Sequence, residues 1–174
     1  MNVNPSNKIP LLAITGYSGT GKTTLLQQLI PALIRSGVNV AAIKHSHHDI
    51  DIDVPGKDSY VLRKAGAKQT IIACDNRWAI VTETPDSAAV DLKQLVNQLD
   101  SSNIDLALVE GFKHEPIKKI MLFREEVGKP FDNLIDQHVI ALASNRQYYV
   151  TVPLLDINNP QQIADFIIDW LKNQ

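Results

Sequence analysis

Residues 9–24 read IPLLAITGYSGTGKTT, and this stretch decides the fold. Ile9 to Ile14 is a short, nearly continuous apolar run, the pattern of a strand buried on both faces. Gly16, Gly21, Lys22 and Thr23 then fill the fixed positions of G-x-x-x-x-G-K-[ST], with Tyr17, Ser18, Gly19 and Thr20 between them. Behind Lys22, the residues Leu25, Leu26, Leu29, Ile30, Leu33 and Ile34 recur at helical spacing. A glycine-rich loop between a buried strand and an amphipathic helix is a cradle for phosphate. Its glycines let successive amides turn inward, and the helix start adds a positive dipole end. The Lys22 ammonium is expected to reach the β- and γ-phosphates, and the Thr23 hydroxyl to hold Mg²⁺.

Outward from this loop, Pro31 is expected to kink the helix and Gly37 to follow its end. Val38 to Ile43 predicts a second strand, parallel to the first in a right-handed unit. A short helix spans about 57–65. Thr70 to Cys74 and Trp78 to Thr82 predict a hairpin around Asp75-Asn76-Arg77. Pro85 opens a helix that carries Leu92, Leu95, Val96 and Leu99 on one face. Leu106 to Val109, Lys119 to Phe123 and Val139 to Ala143 predict further strands, with a short one at Leu154 to Ile157. The last helix has the clearest start: Asn159 as N-cap, Pro160 in the first position and Gln162 where a capping-box residue stands. Strands alternating with helices predict an α/β fold: a mostly parallel sheet flanked by helices, with one antiparallel hairpin. The expected organisation is a flexible leader, residues 1–8, and a single domain, residues 9–174.

The bulk composition excludes several classes. The 174 residues carry a formal net charge of -2, so no global attraction to nucleic acid or anionic membrane is expected. No apolar run approaches a membrane span. With one cysteine, Cys74, no intrachain disulfide forms, and the cytoplasm is the expected compartment. Cys74 lies in an apolar run and is expected to be buried. The pairs Lys118-Lys119 and Glu125-Glu126 are expected to be solvated surface.

Two further segments carry candidate chemistry. KHSHHDIDIDVPGKDS, residues 44–59, leaves the second strand on the edge that holds the phosphate loop. Its His45, His47, His48, Asp49, Asp51 and Asp53 suit a transition metal, or a switch segment that meets phosphates, Mg²⁺ or an anionic ligand. The lack of further cysteines or a second histidine-rich segment favours the switch. Asp58 stands at the start of the following helix, as a capping residue or a ligand contact. In LALVEGFKHE, residues 106–115, a carboxylate closes an apolar strand. Glu110 there is the candidate to serve Mg²⁺ with Thr23, directly or through water, and to act with Lys22 on the phosphates.

The phosphate loop GYSGTGKTT, KHSHHDIDIDVPGKDS, YVLRKAGA (residues 60–67) and VEGFKHEPIKKI together resemble the MobB family, the molybdopterin-guanine dinucleotide biosynthesis adapter proteins. The resemblance runs from about Ile9 to Trp170. It implies a Rossmann-like P-loop NTPase fold and a GTP- and Mg²⁺-binding homodimer with weak intrinsic GTPase activity. It also implies cooperation with the guanylyltransferase that joins GMP to molybdopterin. By position, Gly19 to Thr23 would hold the phosphates, Thr23 and Glu110 would serve Mg²⁺, and the loop around His45 to Asp53 would face the nucleotide or the pterin; Gly16, Ser18, Thr20 and Thr24 are further candidates for the phosphates and Asp49 for the metal.

One departure stands out. Guanine is often read by the Asp of an N/T-K-x-D loop, and no such motif occurs here. Asn145, after the strand Val139 to Ala143, is placed for the base but offers one carbonyl and one amino group, so relaxed base selectivity is expected. Two other readings use the same loop: a nickel-type metal-insertion GTPase carrying its ion on the histidines, and a small-molecule kinase. Arg35, Arg63, Arg77, Arg124 and Arg146 are scattered, which argues against an arginine-rich kinase lid.

Overall fold

The structure, a computed structural model, describes residues 9–46, 51, 53–84, 90–131 and 134–174. In chain order its elements are β1 (Leu11–Gly16), α1 (Lys22–Arg35), β2 (Val40–Lys44), α2 (Asp58–Lys64), β3 (Gln69–Cys74) and β4 (Arg77–Thr82). Then follow α3 (Leu92–Val96), β5 (Leu106–Glu110), β6 (Lys119–Phe123), a 3-10 turn (Glu125–Val127), β7 (Val139–Ser144), β8 (Leu154–Asp156) and α4 (Pro160–Leu171). Residues 9–174 pack in two compact units: the chain up to His45 with Leu92–Gln174, and Ser46–Asp91.

The first unit is a six-stranded sheet in the order β2-β5-β1-β6-β7-β8, parallel throughout. The unit β1-α1-β2 is parallel as expected, but β5 lies between its strands and pairs with both. Both sheet faces are covered, which is why its strands read as apolar runs rather than alternations. Leu12 and Ile14 point toward Leu25, Leu29 and Leu33 of α1 and Ile163 and Ile167 of α4. Ala13 and Val109 face the other way, onto Phe112 and Leu92. Asn159 caps α4 as the sequence predicts: its side-chain oxygen accepts from the Gln162 amide at 3.1 Å. The reciprocal half of the capping box is diverted, since Gln162 Oε1 instead accepts from the Asp156 amide at 2.8 Å.

Two expectations about surface and core are corrected here. Lys119 is not solvated; it is 2% exposed inside β6, and its ammonium donates to the Lys113 carbonyl and to Asp136, both at 3.0 Å. Cys74 is exposed rather than buried, because β3 and β4 form a two-stranded hairpin on their own. That hairpin, in the second unit, matches the predicted one, with register partners Ile71 and Ile80, and Ala73 and Trp78. The helix expected from Pro85 is described only as Leu92–Val96, and Pro85 itself lies outside the described residues. Within the second unit Arg63 is held by ion pairs to Asp51 and Glu83.

Candidate functional site

The phosphate loop joins the end of β1 to α1. Gly21 precedes the helix at φ 86°, a left-handed conformation that a β-carbon resists, and no side chain caps the first-turn amides. Those amides are therefore open to an anion. Ser18, Gly19, Thr23 and Thr24 are exposed along the loop and helix start. Thr20 is buried and its hydroxyl donates to the Tyr17 carbonyl at 2.9 Å, so its side chain braces the loop. Lys22 folds into the loop: Nζ donates to the carbonyls of Gly16 at 3.0 Å and Tyr17 at 2.9 Å. Burial pushes its pKa below the usual lysine value; nearby Glu110 works against that shift and Lys44 adds to it. An ammonium taken out of water and held by neutral carbonyls is suited to a polyanion, which offers full negative charge in their place.

Glu110 closes β5, the strand beside β1, and its side chain is 11% exposed. The Thr23 hydroxyl lies 3.3 Å from Glu110 Oε1 and 3.5 Å from Oε2. The structure thus brings together the two residues assigned to Mg²⁺ by sequence. Lys44, the last residue of β2, stands 3.7 Å from the same carboxylate. His45 is seated at this edge too. Its amide donates to the Glu110 carbonyl at 2.8 Å, and its ring stacks on Phe112 with centroids 4.8 Å apart. Gly111 allows this seat: at φ 100°, a β-carbon there would stand 2.7 Å from the His45 carbonyl oxygen.

Of the other candidates, His47, His48 and Asp49 lie outside the described residues. Asp58 opens α2, in the second unit, with no side-chain capping bond at that helix start. Asn145 follows β7, but its Nδ2 donates to both carboxylate oxygens of Glu126, at 2.7 and 2.9 Å. Glu125 pairs with Arg146. The acidic pair is exposed, as expected, yet each member holds a partner. Among the described residues, no group of three or more His, Cys, Asp or Glu is placed to hold a metal ion. Among the same residues no helix is long and apolar enough to cross a membrane.

Sequence reasoning passed over Lys44 and Arg124. The Arg124 Nε donates to the Thr20 carbonyl at 3.2 Å, and Nη2 to Asn158 Oδ1 at 2.7 Å. It lines a cleft of about 310 Å³ with Gly21, Thr24, Asn158 and Pro160. Asn158 also lines a neighbouring cleft of about 360 Å³ between the ends of β7 and β8. The signal was present in the chain: both residues are cations placed directly at the carboxyl end of an apolar strand, where ligands of such sheets bind.

A wholly parallel sheet covered on both faces, with a glycine-rich loop leading from its central strand into a helix, defines a protein of the P-loop NTPase-like fold. The family profile of molybdopterin guanine dinucleotide synthesis protein B, MobB, matches residues 11–145. The chain belongs to that family. It is 56% identical over 167 residues to the molybdopterin-guanine dinucleotide biosynthesis adapter protein of Escherichia coli, covering 95% of each chain. It is 54% identical over 168 residues to the Haemophilus influenzae protein of the same description, covering 97% of this chain and 93% of that one. A crystal structure of molybdopterin-guanine biosynthesis protein B superposes with a TM-score of 0.73 at 25% identity, over 93% of this chain and 99% of the other.

Proposed function

We propose that this protein is a GTP-binding adapter in molybdopterin-guanine dinucleotide biosynthesis, working with the guanylyltransferase that joins GMP to molybdopterin. The observation that carries the nucleotide reading is the meeting of three groups at one loop: the Lys22 ammonium, the Thr23 hydroxyl and the Glu110 carboxylate. Lys22 and the open first-turn amides would hold the phosphates. Thr23 and Glu110 would hold Mg²⁺, which when bound neutralises phosphate charge. The adapter role is supported by the descriptions that the Escherichia coli and Haemophilus influenzae relatives carry.

Turnover is proposed to be slow. Arg124 is committed to Thr20 and Asn158, and an arginine free to stabilise a transferring phosphoryl group is worth ~10³- to 10⁵-fold. A homodimer is part of the same reading. The hairpin exposes Ile71 at 62% and Trp78 at 67%, on one face with Ile80, and this patch suits pairing with a second copy.

The test is calorimetry with Mg²⁺ and GTP on the wild type and on Lys22→Ala, followed by assembly with the guanylyltransferase and molybdopterin. Binding lost in the variant, and cofactor formation stimulated by the wild type only, are the expected results. Equal affinity in both proteins would refute the site. Binding without any complex or stimulation would refute the adapter role.

A further inference from the structure

The cleft of about 360 Å³ between the ends of β7 and β8 is lined by Ser144, Asn145, Gln147, Asp156, Asn158 and Gln162, among others. Ser144 and Asp156 are register partners at the carboxyl ends of two parallel strands, so the cleft opens on the edge that carries the phosphate loop. It shares Asn158 with the Arg124 cleft, which reaches Gly21 and Thr24 at the head of α1. A continuous line of polar groups therefore runs from the phosphate loop to β8. Asp156 ends β8, three strands from β1 and roughly 15 Å away, a span that the base, ribose and first phosphates of a nucleotide bridge together.

Among the polar side chains at the far end of this line, Asn145 and Asp156 are held in different ways. The donors of Asn145 are turned onto Glu126. The reverse orientation of the carboxamide would press its oxygen against a carboxylate, so the assignment is fixed by chemistry. Its remaining oxygen is buried, out of reach of a ligand, and has no partner. Asn145 is thus a wall of the cleft rather than a reader.

Asp156 is arranged differently. Its amide is held by Gln162 Oε1 at 2.8 Å, and its Oδ1 accepts from the Asn158 amide at 2.8 Å. The carboxylate is thereby oriented by the backbone turn that leads into α4. Among the described residues no hydrogen-bond donor is recorded on Oδ2, and the residue is exposed in the cleft.

We propose that Asp156 is the residue that selects guanine over adenine. This rests on the proposed binding of GTP and supplies the carboxylate that the missing N/T-K-x-D motif would have given, from the next strand along. An ionised carboxylate accepts only. Guanine presents two neighbouring donors on its pairing edge, N1–H and the 2-amino group, and satisfies it. Adenine presents the N1 lone pair on that edge, which repels it. The relaxed selectivity expected from Asn145 alone then gives way to a preference for guanine.

The experiment titrates the full chain, with Mg²⁺, against GTP, ATP, ITP and XTP, for the wild type and Asp156→Asn. Xanthine carries a carbonyl where guanine carries the 2-amino group, and an asparagine both accepts from N1–H and donates to that carbonyl. The variant is expected to lose roughly 10- to 100-fold in GTP affinity, gain a similar factor for XTP and leave ATP unchanged. In the wild type, affinity should fall in the order GTP, ITP, XTP, a measurement that needs no variant. GTP binding with an unchanged GTP-to-XTP ratio in Asp156→Asn overturns the assignment and leaves nucleotide binding standing. So does a wild type that binds GTP, ITP and XTP alike. A wild type that binds none of the four overturns both readings together.

Discussion

Replacing Lys119 tests how a buried cation holds this sheet together. The side chain is 2% exposed and its ammonium donates to the Lys113 carbonyl and Asp136 at 3.0 Å each. Lys119→Ala removes three buried methylenes, about 2.4 kcal/mol at ~0.8 kcal/mol each. It also strips a charge-assisted hydrogen bond and orphans a carbonyl, a further ~1.5–3 kcal/mol. Asp136 is 49% exposed and rehydrates, so the lower half of that range applies. The expected loss is therefore about 4 kcal/mol. Lys119→Met keeps the apolar stem and should lose only about 1.5–2 kcal/mol, the polar part alone. Urea titration of the three proteins reads these values from the midpoints. Acid adds an independent arm. Burial tends to raise the Asp136 pKa, but the Lys119 hydrogen bond and charge, with the His138 amide, carry it below the ordinary 3.8. Its contribution is thus complete above pH 3.8 and is lost as pH falls through the lower folded value. That acid-linked loss should shrink in Lys119→Met. If Met and Ala cost the same within ~0.5 kcal/mol, stem burial plays no part and the reasoning is wrong.

Two other outcomes are expected. Gly111→Ala forces a β-carbon to within 2.7 Å of the His45 carbonyl at φ 100°, and should cost roughly 2–4 kcal/mol and shift the His45 ring signals in NMR; unshifted signals would show that the seat adapts freely. Triphosphate binding should weaken as pH rises toward 10.5, because phosphate favours charged Lys22 while burial in the loop lowers its pKa. Calorimetry in buffers of different ionisation heat should then register proton uptake on binding at alkaline pH, and its absence would contradict this placement of Lys22.

The part of the site written in contiguous residues was legible in the chain. Ile9 to Thr24 indicated strand, loop and helix, and an apolar run ending in a carboxylate singled out Glu110 as a candidate, which the structure sets beside Thr23. Local pattern carries that information because both features are set by neighbours in sequence. What stayed hidden depends on partners far along the chain. The insertion of β5 between β1 and β2 is a choice of strand order, to which periodicity is blind. Lys119 reads as polar until Asp136, 17 positions away, is placed beside it. Asn145 was a reasonable base contact by position, and only its bonds to Glu126 turn its donors elsewhere. The apolar residues around Cys74 suggested a core, but a two-stranded hairpin has too few layers to enclose them.

The tripeptide Arg124-Glu125-Glu126 reaches three separate parts of the chain: Thr20 and Asn158 through the arginine, Arg146 and Asn145 through the two acids. One short turn behind β6 thus acts as a keystone for segments more than a hundred residues apart. Tilting it would displace the Arg124 side of the cleft beside the head of α1 and the Asn145 wall of the cleft between β7 and β8 in the same movement. If the proposed nucleotide binds there, walls fixed this way beforehand leave little to organise on binding, so that selection rests on the fit of the base.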